Sequence, residues 1–177
     1  LSLRRQRQMC IRDRIRDVDY AIDTYRFDLY ANHLYEFIWH EYCDWFLEFS
    51  KTILWDETQS ASTKAETQKT MLVVLETILR LAHPIIPFIT ETIWLSLAKR
   101  LGIKKEPIML EAFPSKEDFK ADQAAYAEIE WLKNVVSGIR NLRGESKIKP
   151  STKIEILLQN GSEKDRIYVK NTEALLI

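Results

Sequence analysis

His40, Glu41, Cys43 and Asp44 form the densest group of side chains able to bind a metal or activate a nucleophile. A zinc site would need ligands in pairs, and no His-x-x-x-His or Cys-x-x-Cys accompanies them. His40 and Cys43 lie three apart on one helical face, but a Cys–His catalytic pair needs a third orienting group in a cleft. The group therefore reads as packed and solvated helix residues. The glycines Gly102, Gly138, Gly144 and Gly161 fit neither phosphate-cradling loop, G-x-G-x-x-G or G-x-x-x-x-G-K, so nucleotide chemistry is not expected in this chain. Asn160-Gly161-Ser162 has the form of a glycosylation sequon and reads as a turn.

Basic residues carry the stronger signal. At about 100° per residue, Lys133, Ser137 and Arg140 fall on one edge of an apolar helical face, and Lys147 extends that line if helicity persists past Gly144. Lys149 and Lys153 follow directly. A cluster of this kind is what a polyanion such as RNA would meet. Arg143 projects into the apolar face itself, so it is expected to be partly buried and paired with a carboxylate.

The elements that must position these residues are helices. The chain has 177 residues, 46% hydrophobic, 11% aromatic and 29% charged, which excludes a disordered chain and is enough for one domain with a sizeable core. Only four glycines and five prolines argue against a many-turned β protein. No stretch approaches the roughly 18 consecutive apolar residues of a membrane span. Cys10 and Cys43 make no disulfide framework, so a reducing compartment is expected. The net charge of zero hides an asymmetry: six arginines face only Asp13 within residues 1–16, residues 17–100 are acidic, and residues 140–170 are basic.

Residues 1–14 show no sustained period and are expected to be a non-native or disordered basic leader. Residues 15–144 are expected to form a helical bundle. A short helix to Tyr25 precedes a long one capped by Asp28, whose stripe of Tyr35, Trp39, Tyr42, Phe46, Phe49 and Ile53 is expected in the core. Thr63 or Ser62 is expected to cap the next helix, with Met71, Leu75, Ile78 and Ala82 inward, and Pro84 to stop it at His83. Pro87 starts another, with Ile89, Ile93, Leu97 and Leu101 inward and Gly102 as its C-cap. After an extended connector, the last long helix spans 121–143, with Ile129, Leu132, Val136 and Ile139 inward and Gly144 ending it. Over residues 145–177 the period changes: Ile154, Ile156 and Leu158 predict one strand, then an Asn160-Gly161 turn and a short helix.

YRFD (25–28), YEFIWHEYCDWFLE (35–48), HPIIPFITETIW (83–94), PIMLEAFP (107–114) and EWLKNVVSGIRNLRGESKIKP (130–150) together resemble the anticodon-binding domain of the valyl-tRNA synthetases, in order and spacing, over roughly residues 15–177. The resemblance implies a mainly α fold, a class I synthetase anticodon-binding bundle with a short C-terminal strand–helix appendage. It implies valine tRNA as partner, with neither membrane nor DNA involved, within a monomeric cytoplasmic ligase. The nucleotide-binding fold with its HIGH and KMSKS motifs is absent from this chain. Adenylate chemistry, with its ATP and magnesium, is thus expected elsewhere in such a ligase, and this chain alone is expected to hold no cofactor and no catalytic residue. Loop bases are read by stacking and edge contacts and phosphates are held by cations. Arg140 and Asn141 are therefore expected to touch bases, and Lys133, Lys147 and Lys149 to position phosphates. The other reading is a helical module that binds a protein through Trp39, Trp45 or Trp55.

Overall fold

A computed structural model describes residues 2–101, 106–119, 122–149 and 152–176. Its helices are α1 (Ser2–Asp23), α2 (Phe27–Glu36), α3 (Glu48–Trp55), α4 (Ala61–Ala82), α5 (Pro87–Leu101), α6 (Gln123–Glu145) and α7 (Glu163–Leu176). A π-helical stretch, Phe37–Leu47, joins α2 to α3 without a break, and short 3₁₀ turns occupy Ile108–Leu110 and Lys116–Asp118. The fold is the helical bundle that the composition requires.

Among the described residues three apolar clusters hold it. In the largest, Ile11, Ile15, Val18 and Ala21 of α1 meet Tyr30, Leu34 and Phe37, then Tyr42 and Phe46, and Val74, Ile78 and Leu81 of α4. A second joins Phe49 to Ile129 and Leu132 of α6, with Trp45 and Val136 against it. A third joins Leu79, Trp94 and Ile108.

Of the basic leader expected over residues 1–14, the part from Cys10 onward packs into the bundle. α1 begins at Ser2, and Ile11 is as deeply buried as Ile15. Ile11, Ile15 and Val18 recur at four and three, one helical face, and Arg12 donates to the Phe119 carbonyl at 3.4 Å. α1 ends in a Schellman turn in which Tyr25 adopts φ 56°, its N–H meeting the Ile22 carbonyl and the Arg26 N–H that of Ala21. Asp28 is accordingly not a cap. It lies in the first turn of α2, where Arg26 donates two bonds to it at 2.8 and 2.7 Å and holds its carboxyl near 2.

The π-helical stretch alters the expected stripe. Buried positions run Tyr30, Leu34, Phe37, Tyr42, Phe46, Phe49, with a step of five at the start of the stretch. A π-helix bonds i to i+5, so each turn holds extra chain and the inward positions shift. Tyr35 and Trp39, expected in the core, are instead 56% and 54% exposed and stack on each other at 6.3 Å.

α4 is capped by Ser60, whose hydroxyl accepts from the Thr63 N–H at 3.1 Å; it is Ser60, rather than Ser62 or Thr63, that precedes the first helical residue. Pro84 ends α4 as expected, with His83 as its C-cap, and Pro87 begins α5. The inner face of α5 is not the predicted one. Thr90, Trp94 and Ala98 are buried, whereas Ile89, Ile93 and Leu101 are exposed. Two polar bonds fix this phase: the Trp94 indole N–H donates to the Glu106 carbonyl at 2.9 Å, and the Thr90 hydroxyl lies 2.8 Å from His83 Nδ1. Gly102, the expected C-cap of α5, lies outside the described residues.

α6 starts one residue after its cap, Asp122, and buries Ala125, Ile129 and Leu132. It passes through Gly144 to Glu145 and closes in a second Schellman turn with Lys147 at φ 53°. The strand expected over residues 154–158 is not formed: residues 152–159 carry no regular secondary structure, and no ladder is present among the described residues. Alternation alone does not make a strand, because its N–H and C=O groups need a neighbouring strand. α7 follows and returns to α6 and α3, Trp131 meeting Tyr168 at 5.7 Å.

The break at Pro84 leaves a problem that Tyr30 solves. Ile85, which would bond the Leu81 carbonyl in a continuing helix, donates instead to Ala82. The Tyr30 hydroxyl, buried, donates to that Leu81 carbonyl at 2.6 Å. Burial, and then the charge of Asp19, push the phenol from 10.0 up to about 12. Because the folded value is raised, the stability it contributes is complete below pH 10 and is lost as pH climbs toward 12. Tyr30→Phe should therefore lower unfolding free energy by about 1.5 kcal/mol at neutral pH, the cost of a buried carbonyl left unbonded, and flatten the alkaline loss. Denaturant melts across pH check both; an unchanged stability would remove this capping role.

Candidate nucleic-acid interface

α6 is the element that collects the candidate residues. Its apolar face lies against α1 and Phe49, so the edge carrying Lys133 and Arg140, two turns apart, lies along the π-helical stretch. That stretch presents Glu41 and Trp45 toward the same edge. Lys133 Nζ donates to Glu41 at 2.9 Å and to Glu130 at 2.8 Å, and sits 5.9 Å from the Trp45 ring. Its side chain is only 13% exposed. Burial by itself draws the ammonium's pKa down, but the hydrogen bonds and charges of Glu130 and Glu41 outweigh it and the net shift is upward. Lys133, expected to position a phosphate, is thus a clasp between two helices whose donors already point at carboxylates.

Arg140 keeps the place its helical phase predicted. It is exposed, and its guanidinium carbon lies 4.9 Å over Trp45. Trp45 is half-buried and serves as the ring beneath two cations; it also packs on Phe49 at 5.5 Å. Asn141, Lys147, Lys149 and Lys153 are exposed beyond it. Arg143 is half-buried as expected, but its partners among the described residues include main-chain carbonyls: it donates to Lys149 at 2.6 Å and to Thr152 at 2.9 Å. It thereby ties Lys149 and Thr152 to the end of α6. Arg140 and Asn141 stand exposed near the end of α6 and Lys147 and Lys149 follow them along the chain, whereas the Lys133 ammonium is engaged by carboxylates.

The metal or nucleophile reading of the aromatic stretch finds no geometry. His40 is held by Asp44 at 3.3 Å and Glu36 at 3.9 Å. Cys43 packs against the main core, where burial, then Asp44, pushes its thiol up and so away from the thiolate form.

If Lys133 is a clasp, its ammonium contributes stability at neutral pH that is lost as pH rises through its raised alkaline value. Lys133→Ala should lower unfolding free energy by about 2 kcal/mol, below the range for fully buried pairs because Glu130 remains partly solvated. A thermal melt unchanged by the substitution would mean that the two carboxylates do not depend on it.

Residues 10–158 match the family model described as the anticodon-binding domain of tRNA ligase. The chain is 44% identical over 152 residues to a valine–tRNA ligase of Coxiella burnetii (strain RSA 493 / Nine Mile phase I) and 46% identical over 154 residues to one of Stenotrophomonas maltophilia (strain R551-3). Each match covers 86% of this chain and 16% of the relative, so the chain spans about a sixth of the length of these ligases. With most of its residues matched by the family model, the chain belongs to the anticodon-binding domain family of the tRNA ligases.

Proposed function

We propose that this chain is the part of a valine–tRNA ligase that docks on the anticodon stem-loop of valine tRNA, so that the acceptor end reaches a catalytic domain elsewhere in the ligase. What carries the reading is the exposed edge of Arg140 and Asn141 followed by Lys147, Lys149 and Lys153, on a chain of this family. Arg140 and Asn141 face loop bases, and Lys147 and Lys149 take phosphates. Lys133 acts behind them by fixing α6 to the π-helical stretch. Adenylate formation from valine and ATP with magnesium belongs to the rest of the ligase, a cytoplasmic monomer that uses neither DNA nor a membrane as partner. Among the described residues no helix is long and apolar enough to cross one.

RNA contact through cations weakens steeply with salt, whereas apolar docking on a protein does not. Binding of a synthetic valine anticodon stem-loop should fall as salt rises, and Lys147→Ala and Lys149→Ala should each reduce the log–log slope by about one. Arg140→Ala should weaken binding by roughly 1 to 3 kcal/mol while the melt stays nearly intact. Arg143→Ala should act differently, loosening Lys149 and Thr152 from the end of α6 and lowering stability along with affinity. Salt-independent binding, or an Arg140→Ala variant that binds normally, would direct attention to a protein partner instead.

A further inference from the structure

We propose that Arg140 and Trp45 together form a stacking platform for one unpaired nucleobase of the RNA loop, with Trp45 the positioning residue that holds the guanidinium in place. The inference rests on the proposed function and adds the mode of contact: one base stacked on a guanidinium that Trp45 holds in place.

The cations of α6 differ in how far their donors are engaged. Lys133 is clasped by Glu41 and Glu130, and Arg143 donates to the carbonyls of Lys149 and Thr152. Arg140, by contrast, makes no ion pair or hydrogen bond with another described residue, and its contact is the Trp45 ring at 4.9 Å. A guanidinium is planar and weakly hydrated, stacks on aromatic faces, and carries its donors around its rim. The guanidinium lies over the indole on an exposed residue, and its rim donors bond no other described residue. Such a plane is what an unstacked base takes, by stacking on the face and bonding at the edge.

The ring beneath is firmly placed. Trp45 packs on Phe49 at 5.5 Å and against the cluster of Ile129 and Leu132, and Lys133 stands 5.9 Å from it. Glu41 and Glu130 both already receive the Lys133 ammonium, which favours leaving Arg140 over the indole. A phosphate contact would need none of this, since a lysine on a flexible stem would serve as well.

The test uses the whole chain and a synthetic valine anticodon stem-loop, together with the same hairpin carrying an abasic site at each loop position in turn. Arg140→Lys keeps the charge but removes the plane, and it should bind about tenfold more weakly than the parent, close to Arg140→Ala. One abasic hairpin should lose a similar factor with the parent chain and nothing further with Arg140→Ala. Trp45→Phe, which keeps an aromatic of smaller face, should lose several-fold in affinity with little change in melting, and adding Arg140→Ala to it should give no more than Arg140→Ala alone. The proposal is overturned if Arg140→Lys binds like the parent, which would mark a phosphate contact, or if the two losses multiply. Should Trp45→Phe fold poorly, the abasic comparison on Arg140 still decides whether a base lies there. If Arg140→Ala binds like the parent, the anticodon reading of this edge falls together with the platform.

Discussion

One ammonium joins the two elements on which the candidate site depends. Lys133 projects from α6 and is shared by Glu130 of its own helix and Glu41 of the π-helical stretch. Without it, two carboxylates would face each other at a half-buried seam with no cation to answer them, at a cost of about 2 kcal/mol. With it, the seam closes and Trp45 comes to rest under Arg140. The clasp is electrostatic, but its consequence is geometric: it sets the distance between the ring and the guanidinium. The upward shift of Lys133 has the same origin, since two nearby carboxylates outweigh the penalty of burial.

The rest of the bundle can be followed from the chain's interruptions. Pro84 turns the chain out of α4, so that the Ile85 N–H donates to Ala82, and the Leu81 carbonyl it would have met is taken by Tyr30 of α2. A proline in one helix thereby fixes the lateral placement of another, and the main core of α1, α2 and α4 closes around that bond. The ends of α1 and α6 close alike, each with a non-glycine residue in the left-handed region, Tyr25 and Lys147. Such residues cost roughly 1 to 2 kcal/mol relative to right-handed geometry. At Lys147 the turn places a basic side chain directly after the helix that bears Arg140.

Much of this was legible in the residues. Pro84 and Pro87 marked the boundary between α4 and α5, because proline acts locally and in one way. The phase of α6 was legible because its polar and apolar positions separate cleanly, and it placed Lys133 and Arg140 on the same edge. What lay outside the reach of periodicity was whatever a distant partner decides. α5 is apolar on several sides, so its pattern allowed two phases, and the bond from Trp94 to Glu106 chose the one not expected. The role of Lys133 depended on Glu41, 92 positions away. The shift from core to surface at Tyr35 and Trp39 followed from a step of five between Phe37 and Tyr42, a spacing present in the sequence but outside the α-helical period. The strand over 154–158 had the right alternation and lacked a neighbour. As for α1, the arginines of residues 1–16 concealed an apolar spacing that begins at Ile11.

The most direct test of the account is amide hydrogen exchange of the whole chain with and without the valine anticodon stem-loop. If the edge from Arg140 through Lys149 meets the RNA, added protection should concentrate in peptides covering the end of α6 and residues 147–152, with a smaller effect at the stretch around Trp45. Protection confined to α4 and α5, leaving the end of α6 unchanged, would contradict it.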